Sequence, residues 1–94
     1  MKQYHIFISG SVQGVFFRSN TCRKANELNV KGWVKNLVDG RVEVVAQGAP
    51  VTMDAFLKFL HKGPYGARVK HVEVKEETAS KKYSDFSIKQ NGIF

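Results

Sequence analysis

The chain has 94 residues with a single cysteine, and its fifteen Lys and Arg against eight Asp and Glu leave a formal net charge of +7. That length makes one domain, expected over 1–94, able to bury roughly 60 to 65% of its unfolded surface and to fold without staples. The lone Cys22 excludes an intramolecular disulfide, and no stretch has a signal peptide's apolar core or the roughly 20 apolar residues of a membrane span, so a cytoplasmic setting without a membrane partner is the expectation.

"YHIFIS" alternates Tyr4, Ile6 and Ile8 against His5, Phe7 and Ser9, the period of a strand with one better buried face. After a glycine-bearing segment, "RSNTCRKANELN" spaces Thr21, Cys22, Ala25 and Leu28 on one face of a first helix. "VKGWVKNL" and "GRVEVVAQG" are two strands around Val38-Asp39-Gly40, and Asp-Gly between alternating runs is a strong hairpin signal. Pro50 fits the first turn of a second helix, in which Met53, Phe56, Leu57 and Leu60 fall at i, i+3, i+4 and i+7. "ARVKHVEVKEE" then reads as a fourth strand, with Lys70, Val72 and Val74 on one face and Val69, His71 and Glu73 on the other. Phe86 to Ile88 reads as a short fifth strand whose neighbour the sequence does not name, and the order of the terminal "NGIF" is equally open.

This order predicts an α+β, ferredoxin-like β-α-β-β-α-β sandwich, its mixed, mostly antiparallel sheet carrying both helices on one face. A right-handed crossover makes the first two strands parallel with the third between them. Their C-terminal ends then lie at one sheet edge, about 9 to 10 Å apart. The loop after the first strand should therefore meet Lys35 and Asn36.

Between Ser9 and Arg18 several backbone N–H groups lack regular partners, and such nests at helix N-termini attract anions. Gly14 permits close backbone approach, and Arg18 offers a planar, permanently charged fork for two phosphate oxygens. A plain strand-to-helix loop with a solvated arginine is the competing reading. Neither a Walker A nor a dinucleotide glycine pattern is present, which disfavours a nucleotide triphosphate site.

The chain resembles the acylphosphatase family from about Tyr4 to Ile88. "SGSVQGVFFR" fits the family's phosphate-loop pattern G-x-V-Q-G-V-x-F-R through Gly10, Val12, Gln13, Gly14, Val15, Phe17 and Arg18. "GWVKNLVDGRVEVVAQG" fits a second pattern through Gly32, Trp33, Val34, Lys35, Asn36, Gly40, Val42 and Gly48. The resemblance implies hydrolysis of small acyl phosphates to a carboxylate and inorganic phosphate, without a metal, cofactor or covalent intermediate. It makes Arg18 the phosphoryl-binding arginine, the backbone of Gln13, Gly14, Val15, Phe16, Phe17 and Arg18 the cradle, and Asn36 the residue that orients the attacking water. Ser11 stands at a variable position where arginine is frequent.

The remaining chemistry-bearing residues read as structural. His5, His61 and His71 lie in three elements and share no ligand spacing with Cys22. Cys22 falls on the apolar face of its helix with no histidine to activate it. Trp33 and Phe17 read as core aromatics, and Glu73, Glu76 and Glu77 as a solvated stretch beside Lys70 and Lys75. A nucleic-acid-binding domain of the RNA-recognition type shares the element order and the basic charge. "KGWVKNLV" fails its aromatic pattern, however, with Lys35 where a stacking ring belongs. No nucleic-acid partner and a monomer are expected. A retired enzyme serving as a regulatory fold is a second rival, against which intact Arg18 and Asn36 argue.

Overall fold

The protein is described here from a computed structural model covering residues 1–14, 16–79 and 81–90. Its elements are β1 (Lys2–Ser11), α1 (Phe17–Glu27), β2 (Lys31–Asn36), β3 (Val42–Gly48), α2 (Pro50–Lys62), β4 (Arg68–Glu77) and β5 (Phe86–Ile88). The sheet order is β4-β1-β3-β2-β5, antiparallel at every pairing except β2 with β5, which is parallel. β3 thus separates the parallel strands β1 and β2, as the crossover rule requires. The "NGIF" tail lies outside the described residues.

One face of the sheet and the two helices enclose the core. Ile6 and Ile8 of β1, Val34 of β2, and Val42, Val44 and Ala46 of β3 are fully buried. Phe17 and Ala25 of α1 and Met53, Phe56 and Leu60 of α2 pack on them. Burying one such side chain is worth about 1.5–3 kcal/mol, so the periodicity alone commits most of the available stability to this arrangement. Phe86 joins the same cluster, its ring edge-on to Phe56 at 6.0 Å. The fifth strand is therefore held by a core aromatic as well as by its ladder to β2.

Strict alternation fails in β4. Val69 and Val72 were expected on opposite faces, yet both pack against the core. The register shifts between Ser9, opposite His71, and Gly10, opposite Val69, so Lys70 has no direct partner. This β-bulge inserts one residue and turns the following side chains over. Gly10 sits at the shift with φ +129, and a Cβ there would stand 2.0 Å from the Arg68 carbonyl oxygen. The backbone of β4 occupies the space a side chain would need. The bulge also carries β1 beyond Gly10, where its alternating pattern ends, to Ser11.

Across the sheet from the helices lies a polar and aromatic face. Gln47 is fully buried there, its amide donating to Gln3 Oε1 and to the Lys81 carbonyl at 2.6 Å each and accepting from the Tyr83 N–H at 3.0 Å. These bonds tie the segment before β5 across the sheet. Trp33 is buried on this face rather than in the helix-side core, its Nε1–H donating to Tyr83 Oη at 3.3 Å. His5 bridges Glu43 and Glu77 nearby.

Candidate active site

The site forms where β1 runs out and α1 begins. Beyond the bulge, Val12 turns inward and is fully buried, which fixes the start of the loop to the core. Gln13 fixes its middle. Its side-chain amide donates to the carbonyls of Leu37, at 2.8 Å, and Arg41, at 2.9 Å, in the turn between β2 and β3. That turn is closed by Leu37 N–H to the Arg41 carbonyl at 2.8 Å, and by Asp39, which accepts from the Arg41 backbone N–H at 3.1 Å and from its Nε at 2.8 Å. The hydrogen bonds from Arg41, backbone first and side chain second, hold the exposed Asp39 carboxyl below its ordinary pKa. Loop and turn are therefore one hydrogen-bonded unit.

Gly14 has φ +75, the left-handed region, with open space where its Cβ would be. Phe16 then caps α1 with φ 58 and ψ 26 and offers no side-chain hydrogen bond to the helix. The first turn of α1 also lacks an acidic residue. Its N–H groups therefore have no side-chain acceptor of the kind that usually satisfies a helix start. The Phe16 carbonyl, by contrast, is doubly engaged by Asn20 through its backbone N–H at 3.0 Å and its side-chain amide at 2.9 Å. Donors are left open at this end while the acceptor is consumed, the polarity an anion requires.

A concavity of about 240 Å³ opens at this helix end. The loop lines it with Val12, Gly14 and Phe16, the first turn of α1 with Phe17, Arg18 and Ser19, and β2 with Asn36. Arg18 is partly buried and makes no ion pair with any described residue. Among the described residues its guanidinium charge is uncommitted. Asn36 Oδ1 is buried without a hydrogen-bond partner, and Thr21 Oγ1 on the core face of α1 is the other such atom among the described residues. Nothing in the structure explains the unpaired Thr21, whereas Asn36 stands at a pocket able to hold a polar ligand.

Of the residues singled out in the sequence, Gly14, Phe16, Phe17, Arg18 and Asn36 meet at this pocket, and Val15 lies outside the described residues. Gln13 is not part of the lining; its side chain serves the turn instead. Lys35 does not join Asn36 at the loop. Alternation sends it to the other sheet face, where its Nζ lies 3.8 Å from Glu43 Oε1 and 5.5 Å from the Trp33 ring centroid. Val12 and Ser19 line the pocket without having been assigned to it. Val12 belongs to the loop motif, but no chemical group distinguished it. Phe17 is 1% exposed and belongs to the core as expected. Cys22 is only partly buried, its thiol near the Phe86 carbonyl at 3.5 Å. Among the described residues no three His, Cys, Asp or Glu side chains converge as metal ligands, and no helix is long and apolar enough to cross a membrane.

Comparison with known proteins agrees with the geometry. The family model for acylphosphatases matches residues 4–88. An acylphosphatase of Marinobacter nauticus is 44% identical over 86 residues, covering 92% of this chain and 94% of that protein. One of Rubrobacter xylanophilus is 51% identical over 79 residues, covering 84% and 72%. The crystal structure of acylphosphatase from Bacillus subtilis superimposes with a TM-score of 0.90 at 36% identity, covering 94% of this chain and 98% of that one.

Proposed function

The chain belongs to the acylphosphatase family of hydrolases, and from that premise we propose that it cleaves the carboxyl–phosphate bond of small acyl phosphates by direct attack of water. The observation that carries this reading is the meeting of Arg18 and Asn36, from separate elements, at the open N-terminus of α1. The reading takes residues 1–94 as a single acylphosphatase-like domain, monomeric, cytoplasmic, and independent of metal or cofactor. Nucleic acid and membranes are not partners in it. Trp33 supports the first of these, because it is 9% exposed beneath the Lys35 and Lys89 ammonium groups and presents no free face for a base.

In the proposed reaction the phosphoryl oxygens rest against the N–H groups of 13–18 and the Arg18 fork. Such preformed donors stabilise charge where it redistributes without reorganising, which is the largest part of what phosphoryl transfer needs. Asn36 orients a water in line with the bond to be broken, its side-chain amide offering a carbonyl acceptor and an N–H donor. The water oxygen bonds to phosphorus as the phosphorus–oxygen bond to the acyl group breaks, and that electron pair leaves on the carboxylate. Carboxylic acids have pKa values of roughly 4 to 5, so the leaving group needs no protein acid. An amide is too weak a base to take the water's proton, which passes to a phosphoryl oxygen and gives inorganic phosphate.

The test is hydrolysis of acetyl phosphate and benzoyl phosphate with and without chelator. Turnover is expected to be indifferent to chelator and to fall by about 10²–10³ in Arg18→Ala, the range for removing one oxyanion donor. Inert wild-type protein, or full activity in Arg18→Ala, would sink the proposal.

A further inference from the structure

Arg41 is engaged on both sides of the sheet. Its backbone belongs to the β2–β3 turn, where its carbonyl accepts from the Leu37 N–H at 2.8 Å and from the Gln13 side-chain amide at 2.9 Å. Its side chain lies over the polar and aromatic face instead. There the guanidinium carbon is 4.9 Å from the centroid of the Phe7 ring, while Nε donates to Asp39 Oδ2 at 2.8 Å. Phe7 faces that way because it alternates with Ile6 and Ile8, which are buried toward the helices. Its ring is half-buried and stacked on His5 with centroids 4.8 Å apart, so the platform under the guanidinium is itself fixed.

An ion pair between near neighbours in an exposed turn holds little by itself. A planar guanidinium seated on an aromatic ring adds attraction and a fixed orientation. Phe7 lies in the body of β1 and Gln13 in the loop that β1 runs into, and Arg41 grips the first with its side chain and the second with its carbonyl. On the other limb of the turn, Leu37, whose carbonyl also accepts from Gln13, directly follows Asn36. The spacing between the two halves of the site therefore depends on where this turn sits. Exposed turns open more readily than the strands they join, and a misplacement of about 1 Å can cost about 10²-fold in rate. We infer that Arg41 is a positioning residue: its guanidinium, seated on Phe7, fixes the β2–β3 turn so that Gln13 holds the anion cradle in register with Asn36. This rests on the acylphosphatase reading and adds to it a residue outside the pocket lining.

The experiment measures kcat and KM for acetyl phosphate, with inhibition by inorganic phosphate, in wild type, Arg41→Ala, Phe7→Leu, Gln13→Ala and the double variant Arg41→Ala/Gln13→Ala, under conditions where tryptophan fluorescence shows each to be folded. In Arg41→Ala kcat is expected to fall about fivefold to tenfold. KM and phosphate inhibition should stay within about twofold of wild type, because Arg18 and the helix N-terminus are untouched. Phe7→Leu leaves the hydrogen bonds of the turn in place and is expected to lower kcat about twofold to threefold; it decides the matter if Arg41→Ala does not fold. In the Gln13→Ala background, Arg41→Ala should cost less than about twofold more, since the tie is already cut, whereas a merely structural loss would repeat its full effect there. Exchange of the Gln13 Nε2 protons with water, followed by 15N NMR, reads the same clamp without turnover and should quicken about tenfold in Arg41→Ala. Wild-type kcat in both Arg41→Ala and Phe7→Leu, or effects that multiply fully in the double variant, overturn the clamp alone. Wild-type protein that hydrolyses nothing overturns the parent function instead, and the Gln13 exchange rate then decides whether the clamp stands.

Discussion

Two amide side chains sit at opposite ends of the β2–β3 ladder, and they are treated in opposite ways. Gln47, opposite Lys31, is fully buried with both donors and its oxygen engaged, by Gln3, Lys81 and Tyr83. Asn36, opposite Val42, keeps a buried oxygen with no partner among the described residues. An unpaired buried polar atom costs about 1–3 kcal/mol, so a chain that pairs one amide completely and leaves the other open is spending stability at the second place. Full pairing marks the end of the ladder that holds the segment before β5. Incomplete pairing marks the end where the pocket lies.

Substitutions can break that contrast from either side. The largest effect is expected for Asn36→Ala: kcat falls by about 10²–10³ while inhibition by inorganic phosphate persists. The same variant should lose little or no stability to urea, since it removes an unpaired buried oxygen rather than a contact. A collapse in stability would show that Asn36 is structural after all. Gln47→Ala is the mirror case. It strands the Lys81 carbonyl, the Tyr83 N–H and the Gln3 oxygen, and should lower stability by about 2–4 kcal/mol in chemical denaturation, with activity kept in whatever fraction stays folded.

Gln13→Ala sharpens the comparison, because Gln13 is an amide of the structural kind placed beside the site. Losing its two bonds to the β2–β3 turn is expected to cost about 1–2 kcal/mol and to reduce activity about tenfold through a misplaced loop. Equal activity would mean that the turn does not position the cradle. The smallest effect belongs to Asp39→Asn. The Asp39 carboxyl has a depressed pKa in the folded state, so its contribution is present above the ordinary carboxylate range and is lost as pH falls through the depressed value. The substitution should remove that contribution at neutral pH, lowering thermal stability slightly there because the pair is exposed, and should flatten the pH dependence of stability below about pH 4.

What could be read in the sequence follows from which forces act locally. Periodicity located β1 and both helices because burial of one face dominates each of them, while the Asp39-Gly40 turn located the β2–β3 hairpin, whose strands are buried on both faces. The crossover rule then brought Arg18 and Asn36 to one edge without any contact being known. It also placed Lys35 there, which the structure corrects, since alternation sends adjacent residues to opposite faces, and it overlooked the Lys70 bulge because a single inserted residue leaves no compositional trace beyond Gly10. The pairing of β5 was illegible for another reason: it depends on Phe86 reaching the helix-side core and on Gln47 holding the preceding segment, both long-range choices. Gln13 shows the limit most clearly. Its motif position suggested ligand contact, but only the folded chain reveals two carbonyls of a distant turn within reach of its amide.

The tie from Gln13 to the Leu37 and Arg41 carbonyls has a consequence for anyone who would transplant the anion cradle. Residues 9–18 look like a portable cassette, ready for any strand-to-helix junction. Grafted alone, they would bring the glycines and the arginine but leave the Gln13 amide with nothing to grip, and the recipient strand would need the bulge that makes room for Gly10. A working graft has to carry the β2–β3 turn and the edge strand with it, which is most of the sheet.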